Sequence, residues 1–155
     1  MQALHKVNII HRDVKLDNVL FNVKTGVCKL ADLGVAVQLR YSSATENMVV
    51  GSRGYFAPEM LKESCHWYDI AADVFSLGAL MYVLLTARLP FFDARQGTKE
   101  YKVRVLNEPL NLEANYDTAK LSVAAKSLLQ GMLEKNPAQR LTIGQVLVHP
   151  WLNHD

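Results

Sequence analysis

The stretch that decides the fold is His11-Arg12-Asp13-Val14-Lys15-Leu16-Asp17-Asn18, which follows the apolar pair Ile9-Ile10. Phosphoryl transfer needs a carboxylate that orients the attacking hydroxyl and accepts its proton, and Asp13 is a candidate for that role. It also needs a cation that neutralises phosphate charge and oxygen ligands for Mg²⁺, for which Lys15 and Asn18 are candidates. For any one of these residues, a loop with a solvated charge cluster is an equally good interpretation. The eight residues together favour a catalytic loop.

A second candidate motif, Asp32-Leu33-Gly34, follows a predicted strand–turn–strand. The strand candidates are residues 19–21 and 27–30, and Gly26 is the turn signal between them. An Asp at the end of a strand, followed by Gly, can hold a metal on a bend. Alone, the tripeptide usually forms a simple turn. Because the hairpin would fold it against Asn18, the two are expected to share one site.

The rest of the chain is expected to be helical, so the predicted fold class is mostly α with one small β-hairpin. Apolar residues at 125, 128, 129, 132 and 133 recur at helical spacing, and Ser122 precedes them as an N-cap candidate. Thr142 and Gln145 have capping-box spacing. Residues 38–54 are polar and mixed, and are predicted to form a long loop. The predicted helices are the end of one within residues 1–9, then 73–86, 98–107, about 123–134, and a last one between Thr142 and Pro150.

Composition and charge argue against several classes of protein. The chain has 155 residues, half of them apolar, and a net charge of +2 without a basic stripe, which indicates one domain and no nucleic-acid partner. The apolar run from Val74 to Leu85 is too short to span a bilayer, and Met1–Ile10 has no signal-peptide run, so no membrane partner is expected. Cys28 and Cys65 lack CxxC spacing and are expected to be reduced in a cytoplasmic or nuclear protein.

Two further motifs follow in order along the chain. The first is Gly51-Ser52-Arg53-Gly54-Tyr55-Phe56-Ala57-Pro58-Glu59, and the second is Asp73-Val74-Phe75-Ser76-Leu77-Gly78. Asn136-Pro137-Ala138-Gln139-Arg140 and His149-Pro150-Trp151 come later. In this order, and over nearly the whole chain, the motifs resemble the C-terminal lobe of the eukaryotic-type serine/threonine protein kinases. The closing segments look most like the calcium/calmodulin-dependent kinase-like group.

The resemblance implies a role for each matching residue of the catalytic half, with ATP and Mg²⁺ as cofactors. Asp13 would be the catalytic base, and Lys15 would contact the transferred phosphate. Asn18 and Asp32 would hold Mg²⁺, and Leu20 would form the floor of the adenine pocket. The substrates would be serine or threonine side chains of proteins.

The resemblance also assigns residues to the activation segment. Ser52 stands where the family usually has Thr, whose hydroxyl bridges the catalytic base and the lysine. Arg12 would bind a phosphate carried by this segment, in which the candidate acceptors are Ser42, Ser43 and Thr45.

Five residues would be structural in this interpretation. Asp73 would be a buried anchor for the backbone near His11. Leu33 would replace the family's Phe as an apolar plug against His11. Glu59 and Arg140 would form a buried ion pair, in which the loss of one partner leaves an uncompensated charge.

Several parts of the kinase family are not found in these 155 residues. There is no GxGxxG to cover the phosphates, and no strand lysine precedes the catalytic loop. Residues 1–155 are therefore interpreted as a partial kinase domain without the N-terminal β lobe, and that lobe would be its partner in the parent protein. Since Met1 matches a position inside a helix of the family, it is not expected to be the native start. The isolated chain is expected to be inactive.

Two other interpretations stay open at this point. A non-catalytic, kinase-like (pseudokinase) binding or scaffold module is suggested by the missing lobe, although a scaffold has no need to keep Asp13, Asn18 and Asp32. An independently folding helical interaction domain with accidental motif matches would lack the strand–turn–strand between Asn18 and Asp32.

Overall fold

The secondary structure is mostly helical, with two small antiparallel sheets. A computed structural model of the chain describes residues 1–39, 49–62, 69–113 and 116–153. The expected fold class is thereby confirmed, including the hairpin that follows the catalytic loop. In chain order the elements are α1 (Gln2–Lys6), β1 (Ile9–Ile10), a 3₁₀ turn (Leu16–Asn18), β2 (Val19–Asn22), β3 (Val27–Leu30), β4 (Val37–Gln38), α2 (Pro58–Leu61), α3 (Ala71–Thr86), α4 (Thr98–Asn107), α5 (Tyr116–Ala119), α6 (Val123–Met132) and α7 (Ile143–Leu147).

Strands β2 and β3 form the predicted hairpin, in a register that runs from Val19 opposite Leu30 to Asn22 opposite Val27. The side chain of Asn22 closes the turn, because its Oδ1 accepts the backbone N–H groups of residues 24 and 25 at 3.0 and 3.2 Å. Gly26 has a φ of 68°, a left-handed conformation that glycine adopts without steric cost. Local chemistry therefore fixes both the turn and the register.

A second two-stranded sheet corrects the expectation of a single hairpin. Strands β1 and β4 pair antiparallel, with Ile9 opposite Gln38 and Ile10 opposite Val37. The loop predicted to begin at residue 38 therefore starts after this strand. Each strand has only two residues, which is too short for an alternating pattern to be visible in the sequence. The sheet lies directly before the catalytic loop and holds its entry point.

Helix α3 forms the centre of the core and is buried on nearly all faces. It begins at Ala71, two residues before the predicted start, and ends as predicted at Thr86. Helix α6 crosses it closely, since a Cβ added to Gly78 would lie 2.9 Å from the Cβ of Met132. Only glycine permits this approach, and it sets the packing distance between the two helices.

Side-chain caps define where the last two helices begin. Ser122 Oγ accepts the backbone N–H of Ala125 at 3.2 Å, and Thr142 forms the predicted capping box with Gln145. Helix α6 ends at Met132, two residues earlier than expected. The single-turn helices α2 and α5 were not predicted, because four residues carry too little periodicity.

In the part of the chain that the structure describes, no helix is long and apolar enough to cross a membrane. Cys28 is an exposed free thiol on β3, and Cys65 lies outside the described residues.

Candidate active site

The backbone of the catalytic loop is hydrogen-bonded to a buried carboxylate, that of Asp73 on α3. Asp73 Oδ2 accepts the backbone N–H of His11 at 2.8 Å, and Oδ1 accepts that of Arg12 at 2.9 Å. Arg12 has a φ of 69°, a conformation that is uncommon for a residue other than glycine. The two hydrogen bonds offset the free-energy cost of burying the Asp73 carboxylate. They also stabilise the uncommon backbone conformation at Arg12.

His5 is a residue of this network that sequence reasoning missed. Its Nε2 lies 2.9 Å from Asp73 Oδ2, and both side chains are almost completely buried. The contact joins helix α1 to the anchor under the catalytic loop. Sixty-eight positions separate the two residues, so no local pattern could have revealed the pair.

His11 connects the catalytic loop to the segment that carries Asp32. Its Nε2 lies 3.0 Å from the carbonyl oxygen of Ala31, which can only accept a hydrogen bond, so the ring is protonated at Nε2. The neutral ring then has its acceptor at Nδ1, which receives the backbone N–H of Asp13 at 3.3 Å. One buried ring therefore positions the residue before Asp32 and the backbone of Asp13.

The structure brings four of the predicted site residues into direct contact. Lys15 Nζ lies 2.8 Å from Asp13 Oδ2 and donates to Ser52 Oγ at 2.8 Å. Asn18 Nδ2 donates to the carbonyl oxygen of Asp13 at 2.8 Å and to its Oδ2 at 3.1 Å. A carboxylate, an ammonium, an amide and a hydroxyl thus form one cluster, although Ser52 is far from the others in sequence.

The environment of Asp13 favours its ionised form. Burial by itself would raise the pKa of this carboxyl, but hydrogen bonds with Lys15 and Ser52, the charge of Lys15 and the hydrogen bond from Asn18 together hold the pKa below its ordinary value. The second oxygen, Oδ1, is buried and has no hydrogen-bond partner among the described residues. Lys15 and Asn18 therefore both bind Oδ2 and leave Oδ1 as the carboxylate oxygen that they do not contact.

The surroundings of Lys15 stabilise its protonated form. The hydrogen bond with Asp13 raises the pKa of Lys15 despite partial desolvation, and the negative charges of Asp13, Asp17 and Asp32 act in the same direction. Lys15 is therefore a permanent cation at neutral pH. Its position beside Asp13 and within the field of Asp32 suits a group that neutralises phosphate charge.

The hairpin brings Asn18 and Asp32 to the same end of its two strands. The ladder continues one step beyond β2 and β3, since the backbone N–H of Ala31 donates to the carbonyl oxygen of Asn18 at 2.8 Å. Asp32 comes next, with a φ of 63°, and its Oδ1 accepts the N–H of Gly34 at 3.1 Å. The amide nitrogen of Asn18 is committed to Asp13, which leaves its Oδ1 as the atom for a cation.

These two oxygen donors fit a magnesium ion that completes its shell from elsewhere. Mg²⁺ is usually held by one or two carboxylates together with phosphates and water, whereas softer metals prefer imidazole or thiolate ligands. No group of three or more His, Cys, Asp or Glu side chains suitable for a metal occurs within the described ranges. The donor set therefore suits a nucleotide-bound Mg²⁺ better than an independent metal centre.

Leu33 is 56% exposed, so the described residues cover only part of its side chain. Its expected role as an apolar plug against His11 stays a prediction. The ring of His11 contacts the backbone at Ala31.

Leu20 is 60% exposed on β2 and borders an open hollow of about 590 Å³. The hollow is lined by Leu20, Phe21, Asn22, Thr25, Val27 and Lys29.

The backbone of the catalytic loop also contacts the 51–59 segment. Gly51 has a φ of 121°, and a Cβ added there would overlap the carbonyl oxygen of Arg12. The Arg12 side chain donates through Nε to the carbonyl oxygen of Val35. Arg12 thus contacts the segment after Asp32 through its side chain and the segment before Ser52 through its backbone. The predicted phosphate acceptors Ser42, Ser43 and Thr45 lie outside the described residues.

The far end of the 51–59 segment is held by the expected ion pair. Arg140 Nη1 and Nη2 lie 2.6 and 2.8 Å from the two carboxylate oxygens of Glu59. Arg140 also donates to the carbonyl oxygens of Ala71 at 2.8 Å and Glu134 at 2.8 Å. The guanidinium therefore joins the segment, the start of α3 and the loop after α6.

Comparisons with known proteins agree with this geometry. Residues 1–152 match the family model described as protein kinase domain. The chain is 36% identical over its full length to calcium-dependent protein kinase 25 of Arabidopsis thaliana, of which it covers 29%. It is 35% identical to human ribosomal protein S6 kinase alpha-3, with 99% of the chain and 21% of the relative aligned. A putative serine/threonine-protein kinase of Saccharomyces cerevisiae is also 35% identical, over 96% of the chain and 15% of the relative.

The chain thus spans less than a third of the length of these relatives. The match of the family model includes every helix and strand from α1 to α7. The chain belongs to the protein kinase domain family, and it is of the eukaryotic serine/threonine type.

Proposed function

We propose that the protein to which this chain belongs transfers the γ-phosphate of ATP to serine or threonine side chains of protein substrates. The observation that carries the proposal is the cluster around Asp13, in which an ionised carboxylate keeps one oxygen without a partner while the other is held by Lys15 and Asn18.

The roles of the residues follow from this cluster. Asp13 Oδ1 orients the incoming hydroxyl and accepts its proton, and the depressed pKa keeps this oxygen ionised before the hydroxyl binds. Lys15 then donates to the transferred phosphate while Ser52 holds its ammonium in place. Leu20 provides an apolar surface for the adenine ring.

Mg²⁺ supplies charge neutralisation on the phosphates when it is bound. Asn18 Oδ1 and the Asp32 carboxylate would be its protein ligands, and the hairpin ladder keeps them at one end. Arg12 would hold a phosphate on the activation segment, for which Ser42, Ser43 and Thr45 are the proposed acceptors. Assignment to the calcium/calmodulin-dependent kinase-like group, and a cytoplasmic or nuclear location, remain predictions.

The test is an Asp13→Asn substitution in the complete protein, which keeps the shape of the side chain and removes the base. Turnover of a peptide substrate is expected to fall by roughly 10²–10⁴. Asp93→Asn is the matched control, because Asp93 forms an exposed pair with Arg95 in the loop before α4. Unchanged turnover in Asp13→Asn, with intact folding by circular dichroism, would remove Asp13 from the role of base.

We further propose that the 155 residues alone do not transfer phosphate. Catalysis of this kind depends on positioning and charge stabilisation, and this chain has no glycine-rich loop to cover the phosphates from the other side. Incubation of the isolated chain with labelled ATP and a mixture of basic peptides should give no incorporation above that of Asp13→Asn. Robust, Asp13-dependent incorporation would contradict this proposal.

A non-catalytic kinase-like binding module is the second candidate. The two candidates differ in nucleotide binding by the complete protein. A kinase is expected to bind Mg·ATP with an affinity that falls in Asp32→Asn, whereas a scaffold would show no effect of that change.

A further inference from the structure

We propose that Thr98 is a phosphorylation site whose phosphate is bound by Arg53. Thr98 is the first residue of helix α4, and Arg53 lies in the 51–59 segment. The two residues already touch, since Arg53 Nη1 donates to Thr98 Oγ1 at 2.9 Å. The inference is independent of the proposed activity, because it concerns this chain as a substrate.

Arg53 is held in position before any phosphate is added. Its guanidinium lies 5.3 Å from the centroid of the Phe92 ring, in cation–π geometry. The Phe92 ring in turn meets the ring of the buried Tyr101 edge to face, at a centroid distance of 5.8 Å. The planar donor group is therefore directed at the Thr98 hydroxyl, and a phosphate on Oγ1 would receive charge-assisted hydrogen bonds without a large rearrangement.

The start of helix α4 adds a favourable field. The first backbone bond of this helix runs from the N–H of Tyr101 to the carbonyl oxygen of Gly97, so the N–H groups of residues 98–100 have no acceptor within the helix. Negative charge is stabilised at such a terminus. The carboxylate of Glu100 is a competing negative charge at the same helix terminus, because its Oε2 lies 2.7 Å from the position of a Cβ added to Gly97.

The hydroxyl is accessible to a modifying enzyme. Thr98 and Gly97 are exposed, and Arg95, three residues before the threonine, has a side chain that is 90% exposed. Arg95 pairs with Asp93 at 2.9 Å, but an exposed pair of this kind breaks at little cost. The segment therefore presents an exposed arginine, whose surface pair with Asp93 has to open, to the acidic substrate cleft of a basophilic serine/threonine kinase, with Thr98 as the acceptor.

The reaction needs ATP and that kinase as co-reactants. Thr98 Oγ attacks the γ-phosphorus, the new O–P bond forms as the bond to the bridging β–γ oxygen breaks, and ADP leaves. The hydroxyl proton passes to the carboxylate base of the modifying kinase and then to solvent. The resulting phosphate joins α4 to Arg53, the neighbour of Ser52 in the candidate active site.

The first experiment tests modification. The chain is incubated with Mg·ATP and a purified kinase that prefers arginine three residues before its target, and the sites are mapped by tandem mass spectrometry. We expect phosphate on Thr98 in the wild-type chain and in Arg53→Met, and at least a tenfold lower yield in Arg95→Met. No phosphate on Thr98 under conditions that modify a control peptide would overturn the proposal.

The second experiment tests the binding of the phosphate. Phosphothreonine is installed at position 98 by genetic encoding, and Tm is compared with that of the unmodified chain. A rise of about 2–6 °C is expected in the wild type and in Arg95→Met, and a rise below about 1 °C in Arg53→Met. Glu100→Gln should enlarge the rise, because it removes a competing charge. An equal rise in wild type and Arg53→Met would assign the effect to the helix terminus alone and reject Arg53 as the phosphate ligand.

Discussion

Arg140 and Glu59, 81 positions apart in sequence, form a bidentate ion pair in the interior of the protein. The Arg140 side chain is 0% exposed and that of Glu59 is 7% exposed. The pair fixes the end of the 51–59 segment, whose other end contacts the catalytic loop. A contact remote from the chemistry therefore helps to determine where Ser52 lies.

Glu59→Gln should strongly destabilise the chain. The substitution keeps the volume of the side chain but leaves the buried guanidinium without its counter-charge, at a cost of about 3–5 kcal/mol. For a chain of this length that corresponds to a decrease in Tm on the order of 10 °C. Differential scanning calorimetry of the two proteins measures the difference.

Glu108→Gln is the matched control, since Glu108 pairs with Arg104 on the surface of α4 at 2.9 Å. Its effect on the unfolding free energy should stay within about 0.5 kcal/mol. Equal effects of the two substitutions would show that burial does not determine the strength of the Glu59 pair.

Asp73→Asn should loosen the catalytic loop. The amide can accept only through one oxygen, so at least one of the N–H groups of His11 and Arg12, or the ring of His5, would face a donor. Loss of a hydrogen bond to a charged acceptor costs roughly 1.5–3 kcal/mol. Urea unfolding measures this loss, and hydrogen exchange should show faster exchange at the amides of His11 and Arg12.

Asp69→Asn provides the comparison for Asp73→Asn. Asp69 Oδ1 accepts the N–H of Ala71 at 2.7 Å in an exposed position, and an asparagine oxygen serves equally well there. We expect a change below about 0.5 kcal/mol. A similar loss at both positions would argue against a special role for Asp73.

Gly51→Ala should separate the 51–59 segment from the catalytic loop. The new methyl group would overlap the carbonyl oxygen of Arg12, and the φ of 121° is unfavourable for alanine. We expect a destabilisation of roughly 2–4 kcal/mol. Gly26→Ala is the control, because Gly26 also has a positive φ but nothing lies within 4 Å of an added Cβ. It should cost only the backbone term, about 1–2 kcal/mol, and chemical denaturation of both variants tests the difference.

Lys135 should make stability increase with pH in the alkaline range. Its Nζ lies 3.8 Å from the centroid of the Phe91 ring and donates to the carbonyl oxygen of Arg104 at 3.2 Å. Burial lowers the pKa of Lys135 to about 8, and the charges of Glu108 and Glu134 oppose this only in part.

The direction of this pH dependence follows from the number of protons that the folded and unfolded states bind. Below about pH 8, Lys135 is charged in both states and the cost of burying its charge is present in full. Between about pH 8 and the unfolded pKa of about 10.4, the folded state loses the proton first, so this cost decreases. Urea unfolding from pH 7.5 to 9.5 should show a steeper rise in the wild type than in Lys135→Met. Parallel curves would contradict the prediction.

The hairpin and the long helices could be predicted from sequence because their signals are local. Gly26 marks the turn, and α3 carries a continuous apolar stretch that ends at Thr86 as predicted. The β1–β4 sheet could not be predicted, since it joins residues 9–10 with 37–38 through two-residue strands. Its stability comes from packing against the core, and a two-residue strand has no periodicity of its own.

The candidate site was predictable as a set of residue types but not as a network. The motif order indicated that Asp13, Lys15 and Ser52 belong together, and the structure places them in contact. The role of His5 depends on a contact with α3, and no pattern near residue 5 indicates it. Leu33 was expected to be an apolar plug because it stands where the family has Phe. It is 56% exposed, and this expectation stays a prediction.

The β2–β3 ladder has a consequence for insertions and deletions. The register of the ladder determines how Asn18 lies relative to Asp32, and residues 23–26 connect the two strands. The length of this four-residue connection therefore matters more for the separation of Asn18 and Asp32 than its composition. Adding or removing one residue there would shift the register by one and turn alternate side chains to the opposite face of the ribbon. Substitutions at 23–25 are therefore expected to be tolerated better than a change of one residue in length at the same place, which would displace Asn18 relative to Asp32 without altering either side chain.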